Sequence, residues 1–257
     1  MTSDAGANAT GNAAAGDASV PADPIALSVG YVRATKAGEG DPADYRRALA
    51  DLDPQVLAAA LDDDARLAFW LNVYNASVQD YLAQEPRLFE ERGLVPRRPI
   101  FRRELLTIAG ESLSVDDVED GILRRSQSGV GLGYVPRLRQ SRFERRHRVG
   151  DVDPRIHFAL NCGAASCPPV LAYTAADVDA QLDASTRSYL DTEVTYDAST
   201  RTATVPKLFS WYRGDFGGKA GIKRFLREHD AVPASGRLSL AWADYDWTLK
   251  LGHYADA

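Results

Sequence analysis

The two cysteines of this chain lie close together and beside a histidine. Cys162 and Cys167 both fall within residues 153–170, and His157 precedes them in the same segment. An apolar run over residues 155–160 leads into a turn rich in Gly, Ser and Pro. Reactive side chains are often displayed where a rigid element meets a loop. The segment therefore indicates a functional site, although its residues alone do not name the reaction.

Cys162 first suggests a cysteine-dependent hydrolase or acyltransferase. A nucleophilic cysteine needs a base that holds it as thiolate and donors for the developing oxyanion. Gly163 would expose the thiol at a sharp turn, whose N–H groups could stabilise an anion. His157 would be the base or would orient it, but in a regular strand it faces away from Cys162. The two pair only if the chain turns before Cys162; otherwise the base is a remote histidine such as His147 or His229.

Three other interpretations stay open. In a non-enzymatic interaction domain, His157, Cys162 and Cys167 would stabilise a buried core turn. In a thiol-redox site the cysteines would form a disulfide. An extended chain separates them by about 16 Å and a disulfide needs Cα atoms about 5.5 Å apart, so a turn at Gly163 would have to close the gap. In a zinc site the three residues would be ligands, but their spacing matches no standard zinc motif. We therefore predict no metal and no other cofactor.

Three polar residues elsewhere are candidates for supporting roles. Glu119, with Asp120 beside it, would orient the base, although a solvated first turn of a helix is the simpler interpretation. Asn72 and Asn75 interrupt an otherwise apolar helix. Either amide would supply an oxyanion donor or, more simply, satisfy a structural hydrogen bond.

The composition limits the class of function. The formal net charge of -6 argues against general nucleic-acid binding, which needs a basic face. The arginine-rich run over residues 137–148 is interpreted as a solvated loop rather than a site for an anionic partner, and the glycines of residues 129–133 as a flexible loop. No apolar run approaches the ~20 residues of a membrane span, so no membrane partner is predicted. The expected partner is a small molecule or a peptide.

Two cysteines are too few for a secreted disulfide framework. Residues 1–23 are mostly small and polar, and they lack the basic start and apolar stretch of a signal peptide. We expect a disordered tail there, a single globular domain over residues 24–257 and a cytoplasmic location.

Apolar spacing and capping residues predict the elements that position the candidates. Helices are expected at residues 25–35, 42–52, 54–61, 63–84, 114–125, 175–190, 206–212 and 218–229. Strands are expected at residues 155–160, 193–196, 202–205 and 238–249. The predicted fold class is helix-rich α+β, with one small, mostly antiparallel sheet.

The sequence from Asp153 through His157, Cys162 and Cys167 to Pro169 resembles the signature of the family called domain of unknown function 547. Supporting motifs stand in the family's order at residues 69–76, 113–124, 207–217 and 245–249, so that the resemblance covers roughly residues 60–250. One departure is Asp120, since members often have a histidine directly after the glutamate.

The resemblance implies a single domain and no established activity. Related chains are sometimes fused to thiol-redox modules, which implies that a redox role is open. The Cys and His content also resembles papain-like or transglutaminase-like cysteine enzymes, at the level of residue types only.

Overall fold

The computed structural model describes residues 20–36, 39–90 and 99–255. The predicted disordered tail, residues 1–23, falls almost wholly outside them. The helices are α1 (Pro24–Ala34), α2 (Pro42–Ala50), α3 (Pro54–Ala60), α4 (Asp63–Gln84), α5 (Arg87–Glu90), α6 (Pro99–Arg102), α7 (Arg142–His147), α8 (Val178–Glu193), α9 (Leu208–Trp211) and α10 (Gly218–Glu228), with a π-helix (Asp117–Leu123) and a 3₁₀ helix (Pro154–Phe158). The strands are β1 (Glu104–Ile108), β2 (Glu111–Ser114), β3 (Thr195–Asp197), β4 (Thr202–Val205) and β5 (Ser239–Trp242).

Helix α4 forms the centre of the fold. It is buried on nearly every side, as expected of a helix with apolar residues all round, and α1, α5, α8 and the π-helix pack against it. Asp62 accepts a hydrogen bond from the N–H of Ala65 at 2.9 Å, which caps its first turn. The helix begins and ends where the apolar spacing predicts.

The helix-rich α+β class is confirmed, but the single predicted sheet is wrong. Within the described residues there are two separate sheets, an antiparallel pair β1–β2 and a three-stranded sheet in the order β3–β4–β5. β3 and β4 form the expected hairpin, and β5 adds to β4 in parallel. β5 is also shorter than the predicted strand over residues 238–249. The chain beyond Trp242 leaves the sheet and crosses to the cysteine turn, where Ala165 N–H donates to the carbonyl of Thr248 at 2.8 Å.

The predicted strand over residues 155–160 is also wrong, because this stretch begins as the 3₁₀ helix. Pro154 stands at its first position, and the Asp153 side chain caps it by accepting from the N–H of Arg155 at 2.9 Å. A short apolar run cannot be assigned to strand or helix from periodicity alone. Ile156 packs into the core around α4, whereas Phe158 packs into a second core formed with α8, α9 and α10. The signature segment thus joins the two cores.

None of the helices in the described ranges is long and apolar enough to cross a membrane.

Candidate functional site

The two cysteine sulfurs meet at the turn that follows residue 161. Gly163 has a φ of +90°, a conformation that favours glycine. The turn brings the Sγ atoms of Cys162 and Cys167 to 2.7 Å from each other, and the N–H of Cys162 donates to Cys167 Sγ at 3.0 Å. Both residues are free cysteines; Cys162 is partly exposed and Cys167 is buried.

Tyr245 completes the surroundings of the thiols. Its hydroxyl lies 3.4 Å from Cys162 Sγ and 3.3 Å from Cys167 Sγ. Burial and the charges of the two cysteines raise the pKa of Tyr245, so the phenol keeps its proton and serves as a donor. The Tyr245 ring packs against Trp211 and Trp247, with centroids 5.0 and 4.7 Å away. Aromatic side chains therefore border the thiol pair on this side.

Hydrogen bonding divides the charge unequally between the cysteines. Burial opposes a thiolate at Cys167, but hydrogen bonds from Cys162, Tyr245 and backbone N–H groups outweigh it and lower the pKa of Cys167. The hydrogen bond to Cys167, burial and the charge of Cys167 raise the pKa of Cys162. Of the two sulfurs, Cys167 therefore carries a negative charge more readily, and in a singly ionised pair the proton lies on Cys162.

Asn75 and Asn161 fix the backbone that enters the turn. The Asn75 amide donates to the carbonyl of Ala159 at 2.9 Å and accepts from the N–H of Asn161 at 2.8 Å. The Asn161 amide accepts from the N–H of Gly163 at 2.9 Å and donates to the carbonyl of Pro168 at 2.7 Å. Asn75 of α4 thus holds the backbone that enters the turn, and the Asn161 amide bridges the two ends of the turn.

Asn72 fixes the backbone that leaves the turn. Its amide donates to the carbonyl of Tyr173 and accepts from the N–H of the same residue, each at 2.8 Å. Both asparagines therefore have their amides engaged with backbone rather than directed at the thiols. Gln79 extends this row on α4, with bonds to Asn161 and to the N–H of Gly252 at 3.2 and 3.0 Å.

Glu119 is buried, so the expectation of a solvated first turn is wrong for it and for Asp120. The exposed fractions of the two residues are 8% and 5%. Glu119 accepts hydrogen bonds from the hydroxyls of Tyr74 at 3.2 Å and Tyr212 at 2.6 Å. Burial and the charge of Glu119 raise the pKa of both tyrosines, which remain donors. The sequence pattern misled because Glu119 contacts Tyr74 of α4 and Asp120 pairs with the buried Arg124, so neither side chain is presented to water.

His157 belongs to a buried ion-pair network. Its Nε2 lies 2.9 Å from Oδ2 of Asp215, whose carboxylate also accepts from Arg124 at 2.7 and 3.1 Å. Arg124 pairs with Asp120 as well, at 2.5 Å. Burial opposes the carboxylate, but hydrogen bonds from His157 and Arg124 lower the pKa of Asp215 below its ordinary value. Burial lowers the pKa of His157, so the ring is neutral and its Nε2–H donates to Asp215.

Within the described residues, no hydrogen bond links His157 to either cysteine. The imidazole stacks on the ring of Tyr212 at a centroid distance of 3.9 Å and faces Asp215. Tyr212 then contacts Glu119, and Glu119 contacts Tyr74, whose pKa the charges of Cys162 and Cys167 also raise. A chain of contacts therefore runs from His157 through Tyr212 and Glu119 to Tyr74.

The zinc interpretation finds no ligand set in the described part of the chain. No group of three His, Cys, Asp or Glu residues there is arranged to hold a metal ion. His157, the third ligand that the sequence suggested, is engaged with Asp215.

Sequence reasoning missed the aromatic and acidic partners of the site. Tyr245 is 83 positions from Cys162, and Asp215 is 58 positions from His157. Spacing along the chain therefore does not indicate either partner. The signal that was available lay in the motifs at residues 207–217 and 245–249, each of which supplies one of these partners.

Comparisons with known proteins identify the family to which the chain belongs. The family model described as "Protein of unknown function, DUF547" matches residues 58–190. No curated protein and no solved structure matches the chain. The likeness to papain-like or transglutaminase-like enzymes therefore stays an expectation. The matched residues make up more than half of the sequence and include the thiol pair, both α4 asparagines, Glu119 and His157. The chain belongs to the protein family of unknown function DUF547.

Proposed function

We propose that this protein carries a dithiol redox centre that exchanges disulfides with a small-molecule or peptide partner. The observation that carries the proposal is the distance of 2.7 Å between the sulfurs of Cys162 and Cys167. Two sulfurs this close need little movement to form or break a disulfide, which requires about 2.05 Å. The family resemblance adds support, because related chains are sometimes fused to thiol-redox modules.

The unequal exposure of the cysteines assigns their roles. Cys162 is partly exposed and is the sulfur that a partner can reach, whereas Cys167 is buried behind it. Thiol–disulfide exchange proceeds by attack of a thiolate on a disulfide sulfur through a mixed disulfide. Cys162 is therefore the attacking residue, and Cys167 is the residue that resolves the mixed disulfide.

The exchange balances without a further reactant beyond the partner disulfide. The pair loses one proton, the remaining proton moves to Cys167, and the Cys162 thiolate attacks one partner sulfur. A Cys162–partner disulfide forms, the partner's S–S bond breaks, and the first leaving sulfur takes up a proton. The Cys167 thiolate, after giving up its proton to the second leaving sulfur, attacks Cys162 Sγ. The protein ends with a Cys162–Cys167 disulfide and the partner with two thiols.

Tyr245 and the N–H of Cys162 stabilise the resolving thiolate. Both direct donors at Cys167 Sγ, and the tyrosine hydroxyl also lies near Cys162 Sγ. A negative charge that moves between the two sulfurs thus keeps a donor throughout the exchange. Tyr245 is a positioning and charge-stabilising residue in this proposal.

The contacts of Cys162 favour exchange over hydrolysis. A cysteine hydrolase or acyltransferase needs an imidazole or another base at the nucleophile. Among the described residues, the side-chain hydrogen bonds of Cys162 Sγ go to Cys167 and Tyr245, while His157 bonds to Asp215. Asn72 and Asn75, the expected oxyanion donors, are engaged with backbone groups.

Oxidised glutathione and mass spectrometry test the proposal with two matched variants. We expect the wild-type protein to release two glutathione thiols and to gain an internal disulfide. Cys167→Ser should instead accumulate a mixed disulfide at Cys162, because no thiol remains to resolve it. Cys162→Ser should stay unmodified while folded, because Cys167 is buried. Each variant is checked for native structure by circular dichroism.

Two other outcomes would support the structural or the hydrolase interpretation instead. If wild-type protein keeps its mass in oxidised glutathione while folded, the cysteines are structural and the proposal is wrong. If Cys162 is acylated by an activated ester at the same rate in the wild type and in Cys167→Ser, Cys162 acts alone as a nucleophile and the hydrolase interpretation replaces exchange.

A further inference from the structure

Exposed apolar side chains are concentrated in one short stretch of the surface. Among the described residues, the large apolar side chains that are most exposed include Val130, Leu132, Tyr134, Val135 and Leu138. Val130 is 78% exposed and Leu138 is fully exposed. Single exposed apolar residues need no explanation, but a contiguous group marks an interaction site.

The backbone of this stretch is held in a hairpin. The N–H of Ser128 donates to the carbonyl of Val135 at 2.7 Å, and the N–H of Arg137 donates to that of Ser126 at 2.8 Å. The tip rests on the chain before α10, where Gly214 N–H donates to the carbonyl of Leu132 at 2.6 Å. The apolar side chains therefore project from a fixed support.

Positively charged residues flank the hairpin along the chain. Residues 121–150 contain eight of the 30 basic residues of the chain and one of its 36 acidic residues, Glu144, which is buried. The exposed arginines are Arg125, Arg139, Arg142, Arg145 and Arg146, and none of these forms an ion pair with another described residue. We call these five arginines and the five apolar side chains the basic–apolar surface.

We propose that the basic–apolar surface docks the protein onto an anionic lipid bilayer. Exposed apolar side chains of a hairpin can enter the interfacial region of a bilayer, and guanidinium groups near them that have no described ion-pair partner are attracted to anionic headgroups. A protein partner would need a surface complementary to these side chains, whereas a bilayer accepts them without one. The contact is peripheral and requires no spanning helix, so it differs from the membrane partner that the apolar runs of the sequence argued against.

Vesicle sedimentation with the full-length protein tests this surface. We expect binding to vesicles of phosphatidylcholine mixed with phosphatidylserine, little binding to phosphatidylcholine alone, and release at high salt. Each basic residue near an anionic surface contributes about fivefold to partitioning, so Arg139→Glu with Arg142→Glu should weaken binding at least about twentyfold. Leu138→Asp should weaken it about tenfold by removing an apolar contact and adding a repelled charge.

Matched controls keep the test specific. Val56→Asp changes an exposed apolar residue on α3, and Arg201→Glu with Arg237→Glu reverses two exposed arginines elsewhere; neither should alter binding. Absence of binding to the mixed vesicles would overturn the proposal, as would equal loss of binding in the controls. A concentration-dependent dimer that Leu138→Asp abolishes, without vesicle binding, would show instead that a second copy covers this surface.

Discussion

The imidazole of His157 faces the carboxylate of Asp215, with Nε2 and Oδ2 2.9 Å apart, and not the thiol of Cys162. Because Asp215 is also held by the buried Arg124, histidine, aspartate and arginine form one buried network. His157, the base that the sequence suggests first, is therefore not available to Cys162, the nucleophile that it suggests first. The network is also a source of stability that can be measured.

Removing the charge of Asp215 should destabilise the protein strongly. In Asp215→Asn the buried Arg124 loses one of its two carboxylate partners, and breaking a buried ion pair costs about 3–5 kcal/mol. Urea unfolding followed by tryptophan fluorescence measures the loss. The matched control is Asp191→Asn on an exposed face of α8, which should change the free energy of unfolding by less than about 0.5 kcal/mol. Equal effects in both variants would contradict the ion-pair network.

His147 should make the protein less stable in acid. Burial, with the charges of Arg146 and Arg66, lowers the pKa of His147 to about 4. The unfolded chain binds this proton near its ordinary pKa of about 6.5. Stability from this residue is therefore complete above that pH and is lost as the pH falls towards 4, by at most about 1.4 kcal/mol per pH unit.

Comparison of His147→Phe with the wild type measures the pH-dependent stability that His147 contributes. The variant should have a smaller pH slope of the unfolding free energy between pH 6.5 and 4. Phe143→Leu alters the neighbouring ring but removes no titrating group, so it should shift the whole curve and leave its slope intact. An unchanged slope in His147→Phe would show that His147 binds its proton equally in the folded and unfolded states.

The hydroxyl of Tyr245 should lower the pKa of the dithiol. Tyr245→Phe removes a donor that lies within 3.4 Å of both sulfurs, so the first thiolate should form about one pH unit higher. Ultraviolet thiolate absorbance followed against pH measures the shift. Tyr189→Phe is the matched control, because the hydroxyl of Tyr189 donates to the carbonyl of Ser166 and not to a sulfur. A dithiol pKa that Tyr245→Phe leaves in place would remove Tyr245 from the proposed exchange.

Gly163→Ala should destabilise the cysteine turn more than an equivalent change elsewhere. The residue has a φ of +90°, and an added Cβ would lie 2.7 Å from Cδ1 of Leu82. The left-handed conformation costs about 1–2 kcal/mol for alanine, and the clash adds about 1–3 kcal/mol. Gly110 has a φ of +77° and nothing within 4 Å of an added Cβ, so Gly110→Ala should show only the conformational cost and no cost from a clash. Thermal unfolding of both variants separates the two contributions, and equal losses would contradict the close packing at Leu82.

The sequence predicted the elements whose formation depends on neighbouring residues. Apolar spacing located α4, Pro42 and Pro54 marked the starts of α2 and α3, and the turn residues between β3 and β4 predicted their hairpin. The sequence also allowed Cys162 and Cys167 to meet, because a turn at Gly163 could close the gap between them. These features follow from local geometry, which a single sequence contains.

Only the tertiary structure decided which partners the candidate site residues have. The run over residues 155–160 became a 3₁₀ helix because Asp153 and Pro154 start it and α4 supplies its later backbone partner, Asn75. Asp215 and Tyr245 reach His157 and the thiols through packing between the two cores. Such contacts depend on the free energy of burying whole helices against one another, which no local spacing encodes. The sequence alone therefore located the segment that carries two cysteines and a histidine, and the fold directed the histidine to Asp215 rather than to the thiols.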